Sequence, residues 1–129
     1  MNQTEAAAIP LGPTVIALVG EFDIADKQRL ADAFEVAAQD PAVILDLSQT
    51  TFIDTTVLVE LLKLRSAMAV GPGKLLVGQP TGSVWRVFDI TQMGSVFEMR
   101  QSVEYALAEL DLAGHAVTRL TLLGKERGR

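Results

Sequence analysis

Ala42-Val43-Ile44-Leu45-Asp46-Leu47-Ser48-Gln49-Thr50-Thr51-Phe52-Ile53-Asp54-Thr55-Thr56-Val57 is the stretch on which the fold turns. Its first six residues are a short apolar run rich in branched side chains, the pattern of a central strand covered on at least one face. Phe52 and Ile53 read as apolar anchors that pin the following turn to the core. After Asp54 the period changes. Leu58, Leu61, Leu62, Leu64 and Met68 recur at spacings of three and four, which places them on one face of a helix. Asp54 is the natural N-cap, since its carboxylate can accept hydrogen bonds from the first-turn N–H groups. Thr55 and Thr56 then stand at the positive end of the helix dipole.

The same reasoning extends in both directions. Thr14 to Val19 reads as a strand, and Gly20-Glu21-Phe22-Asp23 reads as the segment that leaves the sheet. Asp23 or Asp26 caps a helix over about Asp26 to Ala38, with Leu30, Phe34 and Ala37 or Ala38 facing inward, and Asp40-Pro41 ends it. Beyond the second helix, which runs to about Val70, Gly71-Pro72-Gly73 is a turn and Lys74 to Val77 a strand. A brief helix buries Val84, Val87 and Phe88, leaving Trp85 off that stripe against a neighbouring loop. Val96 to Met99 is a short strand, and Ser102 caps a helix with Val103, Ala106, Leu107 and Leu110 on one face. Upstream, the apolar run Ala6 to Leu11 reads as an edge strand closed by Gly12-Pro13. The tail from His115 to Arg129 fits an added element, a contact with a neighbouring subunit, or a loose end.

The order is thus β-β-α-β-α-β-α-β-α. Alternating strands and helices imply an α/β fold with a small, largely parallel sheet of about five strands, mixed if the first pair is antiparallel. Residues 1–112 form the predicted domain and residues 113–129 a tail.

Composition narrows the chemistry. The chain has 129 residues and 49% hydrophobic content, enough for one domain with a real core. Its net charge of −5 argues against nucleic acid as a direct partner. It contains no cysteine, which removes disulfides, zinc-thiolate sites and cysteine nucleophiles. No apolar run reaches the length of a membrane span, and the first residues lack the basic region of a signal peptide, so the expectation is a soluble cytoplasmic protein without membrane insertion. The single histidine, His115, lies in the tail, and neither a phosphate-binding glycine loop nor a metal-ligand pattern is present. Asp23, Asp46 and Asp54 could converge at strand ends as in magnesium sites, but capping accounts for each. The expectation is therefore no catalytic residues, no metal and no cofactor: a protein that is acted upon.

Four pieces in order carry a resemblance. They are Gly20-Glu21-Phe22-Asp23 after a strand, Asp46-Leu47-Ser48 with Phe52-Ile53-Asp54-Thr55-Thr56, the run Val84 to Gly94, and Phe97 with Ser102 to Leu107. Together they resemble the STAS domain, the family of bacterial anti-sigma factor antagonists, over roughly Thr14 to Leu110. The resemblance implies a small mixed sheet with helices mainly on one side. It also implies binding to an anti-sigma factor that is itself a serine/threonine kinase, with the sigma factor reached only indirectly and a homodimer left open. By position the phosphoacceptor is Thr55, with Thr56 second. Glu21, Asp23, Asp54, Thr55, Thr56, Val59 and Lys63 are the implied partner surface, on the loop after the first strand and on the exposed face of the second helix, where Glu60 is also expected.

Two departures stand out. The family pattern Asp-Ser-Ser-Gly is here Asp-Thr-Thr-Val, and Val57 adds a branched side chain where a partner is expected to approach. The alternative reading is a STAS subunit of a larger lipid-transport or stress-signalling assembly, without a phosphoswitch. A small α/β enzyme is the third, and the missing catalytic set counts against it.

Overall fold

The computed structural model describes residues 12–78, 80–110 and 115–126. Strand β1 (Thr14–Phe22) lies within the sheet and is followed by a 3-10 turn, Ile24–Asp26, and helix α1 (Lys27–Ala37). Next come β2 (Ala42–Asp46), β3 (Thr50–Ile53), α2 (Thr55–Ala69), β4 (Lys74–Gly78), α3 (Gly82–Ile90), β5 (Glu98–Arg100), α4 (Val103–Leu110) and β6 (Thr118–Leu123).

All the strand ladders are parallel. β1 pairs with β2, β3 and β6, β2 with β4, and β4 with β5. Thr14 to Ala17 bond β2 and β6 at once, so these two lie on opposite edges of β1. The sheet divides the core. Ile16, Leu18, Val43, Leu45 and Val77 face α1, α2 and α3, while Val15, Ile44 and Leu76 face α4 through Val103 and Ala106. Alternate residues of each strand serve opposite faces, as the pleat requires. Three helices on one side and one on the other agree with the expected α/β architecture.

Several details differ from the sequence reading. β1 does not end at Val19 but continues to Phe22 through an irregularity at Gly20/Glu21. Gly20 has φ +101°, a conformation that glycine reaches without the steric cost other residues bear. The segment Thr50–Ile53, read as a turn with anchors, is a strand paired with the end of β1. Part of the tail is also a strand: β6 takes the outer edge of β1 in continuous register from Thr14↔Thr118 to Val19↔Leu123. The expected edge strand at Ala6 to Leu11 lies outside the described residues, as does Gly114.

Candidate functional site

The approach to the α2 mouth is held by polar groups placed at fixed points. Asp46, at the end of β2, accepts a hydrogen bond from the Ser48 N–H at 2.9 Å and so turns the chain. The buried Thr50 hydroxyl donates to the Leu18 carbonyl at 2.6 Å, tying the start of β3 to β1. On the other side, Thr81 and Ser83 donate from their hydroxyls to the carbonyls of Thr50 and Thr51, at 2.9 and 3.1 Å. β3 is therefore fixed from both flanks.

Ile53 is buried and anchors the turn as expected, whereas Phe52 points outward and is 41% exposed. In a strand, consecutive side chains take opposite faces, so the two cannot both anchor. Asp54 is extended, with φ −111° and ψ −176°, and its Oδ1 accepts from the Val57 N–H at 3.3 Å, closing the first turn of α2. Thr55 is exposed and Thr56 half-buried. The Thr55 hydroxyl takes part in no hydrogen bond among the described residues. Val57 is 0% exposed and belongs to the main core. Its branched side chain thus faces inward, away from any visiting protein, and the expected obstruction of a partner does not arise from it.

The rest of the implied partner surface is mixed. Val59 is exposed, one turn along α2 from Thr55. Lys63 is exposed and bonds Glu60 at 3.1 Å. Glu60, expected on the open face, is 2% exposed, because α1 packs along that flank of α2.

The loop after β1 is strongly tied down. The Asp23 side chain accepts from the Ala25 N–H at 2.9 Å and the Asp23 N–H donates to Asp26, a reciprocal cap. Lys125 bonds both carboxylates, at 3.0 and 3.2 Å, and Arg29 joins Asp26 to the Leu123 carbonyl, at 2.9 Å each. The Lys125 hydrogen bond and the Ala25 N–H lower the Asp23 pKa. For Asp26, desolvation raises the pKa, but bonds from the Asp23 N–H, Arg29 and Lys125 outweigh it and the net direction is down. The Glu21 backbone forms an antiparallel bridge with Lys125. Nothing in the sequence reading flagged Lys125 or Arg29 here; their link to Asp23 spans too much chain to leave a local pattern.

No helix among the described residues is long and apolar enough to cross a membrane. Among the same residues, no three His, Cys, Asp or Glu side chains gather as a metal site would require.

No curated protein matches the chain. Among solved structures, the unphosphorylated form of the anti-sigma factor antagonist SpoIIAA aligns with TM-score 0.66 at 20% identity, covering 80% of this chain and 96% of that one. The phosphorylated form of the same protein, described as a Bacillus cell fate determinant, aligns at TM-score 0.59 and 19% identity, with 75% and 90% covered. A sulfate transporter family protein from Wolinella succinogenes gives TM-score 0.68 at 18% identity, covering 84% and 93%. A putative anti-sigma factor antagonist from Thermotoga maritima gives 0.62 at 15%, covering 82% and 97%. These likenesses establish a shared fold. The sequence itself matches the STAS domain family over residues 5–106, most of its length, and the chain belongs to that family.

Proposed function

We propose that this protein is a non-enzymatic anti-sigma factor antagonist of the cytoplasm, which binds an anti-sigma factor with serine/threonine kinase activity and is released from it by phosphorylation at Thr55. The observation that carries the reading is the state of Thr55: an exposed residue whose hydroxyl makes no hydrogen bond among the described residues, directly after the capping Asp54. A kinase can reach such a group without unfolding anything. Thr56, half-buried, is the second acceptor. The docking surface comprises Asp54, Thr55, Thr56, Val59 and Lys63, with Glu21 and Asp23 shaping the neighbouring loop. The STAS unit is residues 1–112, and the tail, 113–129, supplies β6 to its sheet.

A phosphate adds roughly −1.5 to −2 charges at neutral pH. The α2 mouth tolerates this, since first-turn N–H groups and the dipole favour a nearby anion by about 0.3–1 kcal/mol. A partner does not. A doubly charged phosphate about 4 Å from a single partner carboxylate is repelled by roughly 8 kcal/mol at an effective dielectric of about 20, before salt screening. A quarter of that weakens binding by more than about tenfold. The modification thus breaks an interface and spares the fold.

The test is incubation with ATP and the kinase-type anti-sigma factors of the same genome, followed by mass mapping. Phosphate is expected on Thr55. Phosphate on neither Thr55 nor Thr56 would favour the second reading, a STAS subunit of a larger complex, which the likeness to a sulfate transporter family protein keeps in view.

A further inference from the structure

Among the described residues three strands bound the sheet, and two of them are closed to further pairing. Along β3, the hydroxyls of Thr81 and Ser83 occupy the Thr50 and Thr51 carbonyls. β5 is three residues long, and its Glu98 and Arg100 are engaged in ion pairs with each other, with Lys74 and with Glu109. Short, charged edges resist a further strand. β6 has neither protection. It is six residues long, Thr118-Arg119-Leu120-Thr121-Leu122-Leu123, without proline and with one charge. Among the described residues its ladder is with β1 alone. Leu120 and Leu123 are 38% and 66% exposed. The Thr118 and Gly124 N–H groups bond the Pro13 and Val19 carbonyls, so Thr118, Leu120 and Leu122 turn their backbone groups toward β1. Arg119, Thr121 and Leu123 turn theirs outward. Of these outward groups, the Leu123 carbonyl alone has a partner among the described residues, Arg29 at 2.9 Å.

We infer that the outer edge of β6 is a dimerisation edge, where a second copy of this chain adds its own β6 in antiparallel pairing across a two-fold axis at Thr121. The free backbone groups set this register. Arg119, Thr121 and Leu123 of one copy meet Leu123, Thr121 and Arg119 of the other, so each outward N–H finds an outward carbonyl. The Leu123 carbonyl accepts its second bond through its remaining lone pair. Leu120 falls opposite Leu122, on the face shared with Ile16 and Leu18, and such cross-strand apolar pairs stabilise a ladder. The charges point to the same occupant. Arg119 stands opposite Leu123 rather than its own copy, and Lys125 is already paired with Asp23 and Asp26. No like charges are set opposite each other within the paired strands. A foreign strand would have to match this pattern of free groups and leucines, whereas a second copy carries it by construction. The pairing requires neither Thr55 nor its phosphorylation.

The test is sedimentation equilibrium of the full chain across a range of concentrations, with amide hydrogen exchange followed by nuclear magnetic resonance at both ends of the range. A reversible monomer–dimer equilibrium with Kd on the order of 0.1 mM is expected, since pairing along one edge buries less than a standard interface. The Arg119, Thr121 and Leu123 amides should exchange several-fold more slowly at the highest concentration, while those of Leu120 and Leu122, bonded to β1, should not change with concentration. Thr121→Pro removes the central outward N–H and leaves the ladder to β1 untouched, a position where proline is tolerated, so it should weaken association at least about tenfold with an unchanged circular dichroism spectrum. Leu123→Lys places a charge on the edge and should weaken association in the same direction. A monomer throughout the range would overturn the assignment, as would association that Thr121→Pro leaves intact. So would outward amides that exchange slowly at every concentration, the result expected if the chain's own residues 1–11 covered the edge. If Thr121→Pro fails to fold, undiminished association of Leu123→Lys overturns the assignment in its place.

Discussion

Two aspartates begin helical segments at the same end of the sheet, and they are used in opposite ways. Asp54 caps α2 through one long contact, 3.3 Å to the Val57 N–H, and the threonine after it faces solvent. Asp23 is part of a closed set: a reciprocal cap with Asp26, a bond from Lys125, and Arg29 bridging Asp26 to the end of β6. Gly20 and Gly124 permit this closure. A β-carbon on Gly20 would lie 2.7 Å from the Lys125 carbonyl oxygen, and one on Gly124 would lie 2.3 Å from that of Glu21. One helix start is left open to other molecules, and the other is consumed in holding the chain's own tail. Capping residues alone do not distinguish an open helix start from a clasp; what separates them is how many bonds the rest of the protein makes to them.

The strongest way to break the comparison is to disturb the clasp. Gly20→Val places a branched residue at φ +101° against the Lys125 carbonyl, and it should cost roughly 1–3 kcal/mol in strain, more if the strand shifts. Urea denaturation should show a lower midpoint with an unchanged slope. Asp23→Ala, which removes a cap, should lower the urea midpoint, and by more than Asp54→Ala, whose single side-chain contact is longer. Equal losses would mean that Lys125 adds nothing.

Acidity sharpens the contrast further. The Asp23 and Asp26 pKa values are lowered on folding, so the stability they supply is present above the ordinary carboxylate range and is lost as pH falls below about 4 through their folded values. The Lys125 pKa is raised, chiefly by its bond to Asp23, so its share is held below the ordinary lysine range and lost as pH climbs above about 10.5. Lys125→Ala should therefore flatten both limbs of the stability profile. At the open site, Thr55→Ala should change stability by less than about 0.5 kcal/mol, as an exposed substitution does. A larger loss would give Thr55 a structural role.

How far the sequence carried each region follows from where its bonds run. The α2 mouth was legible because its determinants are local. Asp54 caps three residues on, and the apolar period of Leu58, Leu61, Leu64 and Met68 predicts the buried face that is found. Ser102 likewise caps α4, bonding the Tyr105 N–H at 2.9 Å. The clasp was not legible, because Lys125 and Asp23 stand 102 residues apart. β6 pairs with a strand that begins more than a hundred residues earlier, and its exposed sequence, Thr118 to Leu123, carries no pattern that names its partner. β3 was hidden differently. Its pairing with β1 is broken by the irregularity at Gly20/Glu21, with Thr50 opposite Gly20 before it and Phe52 and Ile53 opposite Glu21 and Phe22 after it, and Thr50 is buried for its hydroxyl bond to Leu18 rather than for any apolar surface. Glu60 was misplaced because its charge suggested the open face of α2, and nothing local indicated that α1 covers it.

The central claim is that the hydroxyl at the α2 mouth controls docking and not folding. Calorimetric titration of the anti-sigma kinase with the unmodified protein, with Thr55→Glu and with the enzymatically phosphorylated form, each accompanied by a melting curve, tests it most directly. The account predicts that the charged forms bind at least about tenfold more weakly while melting at the same temperature. Undiminished binding by the phosphorylated protein, or a melting temperature that falls together with affinity, would contradict it.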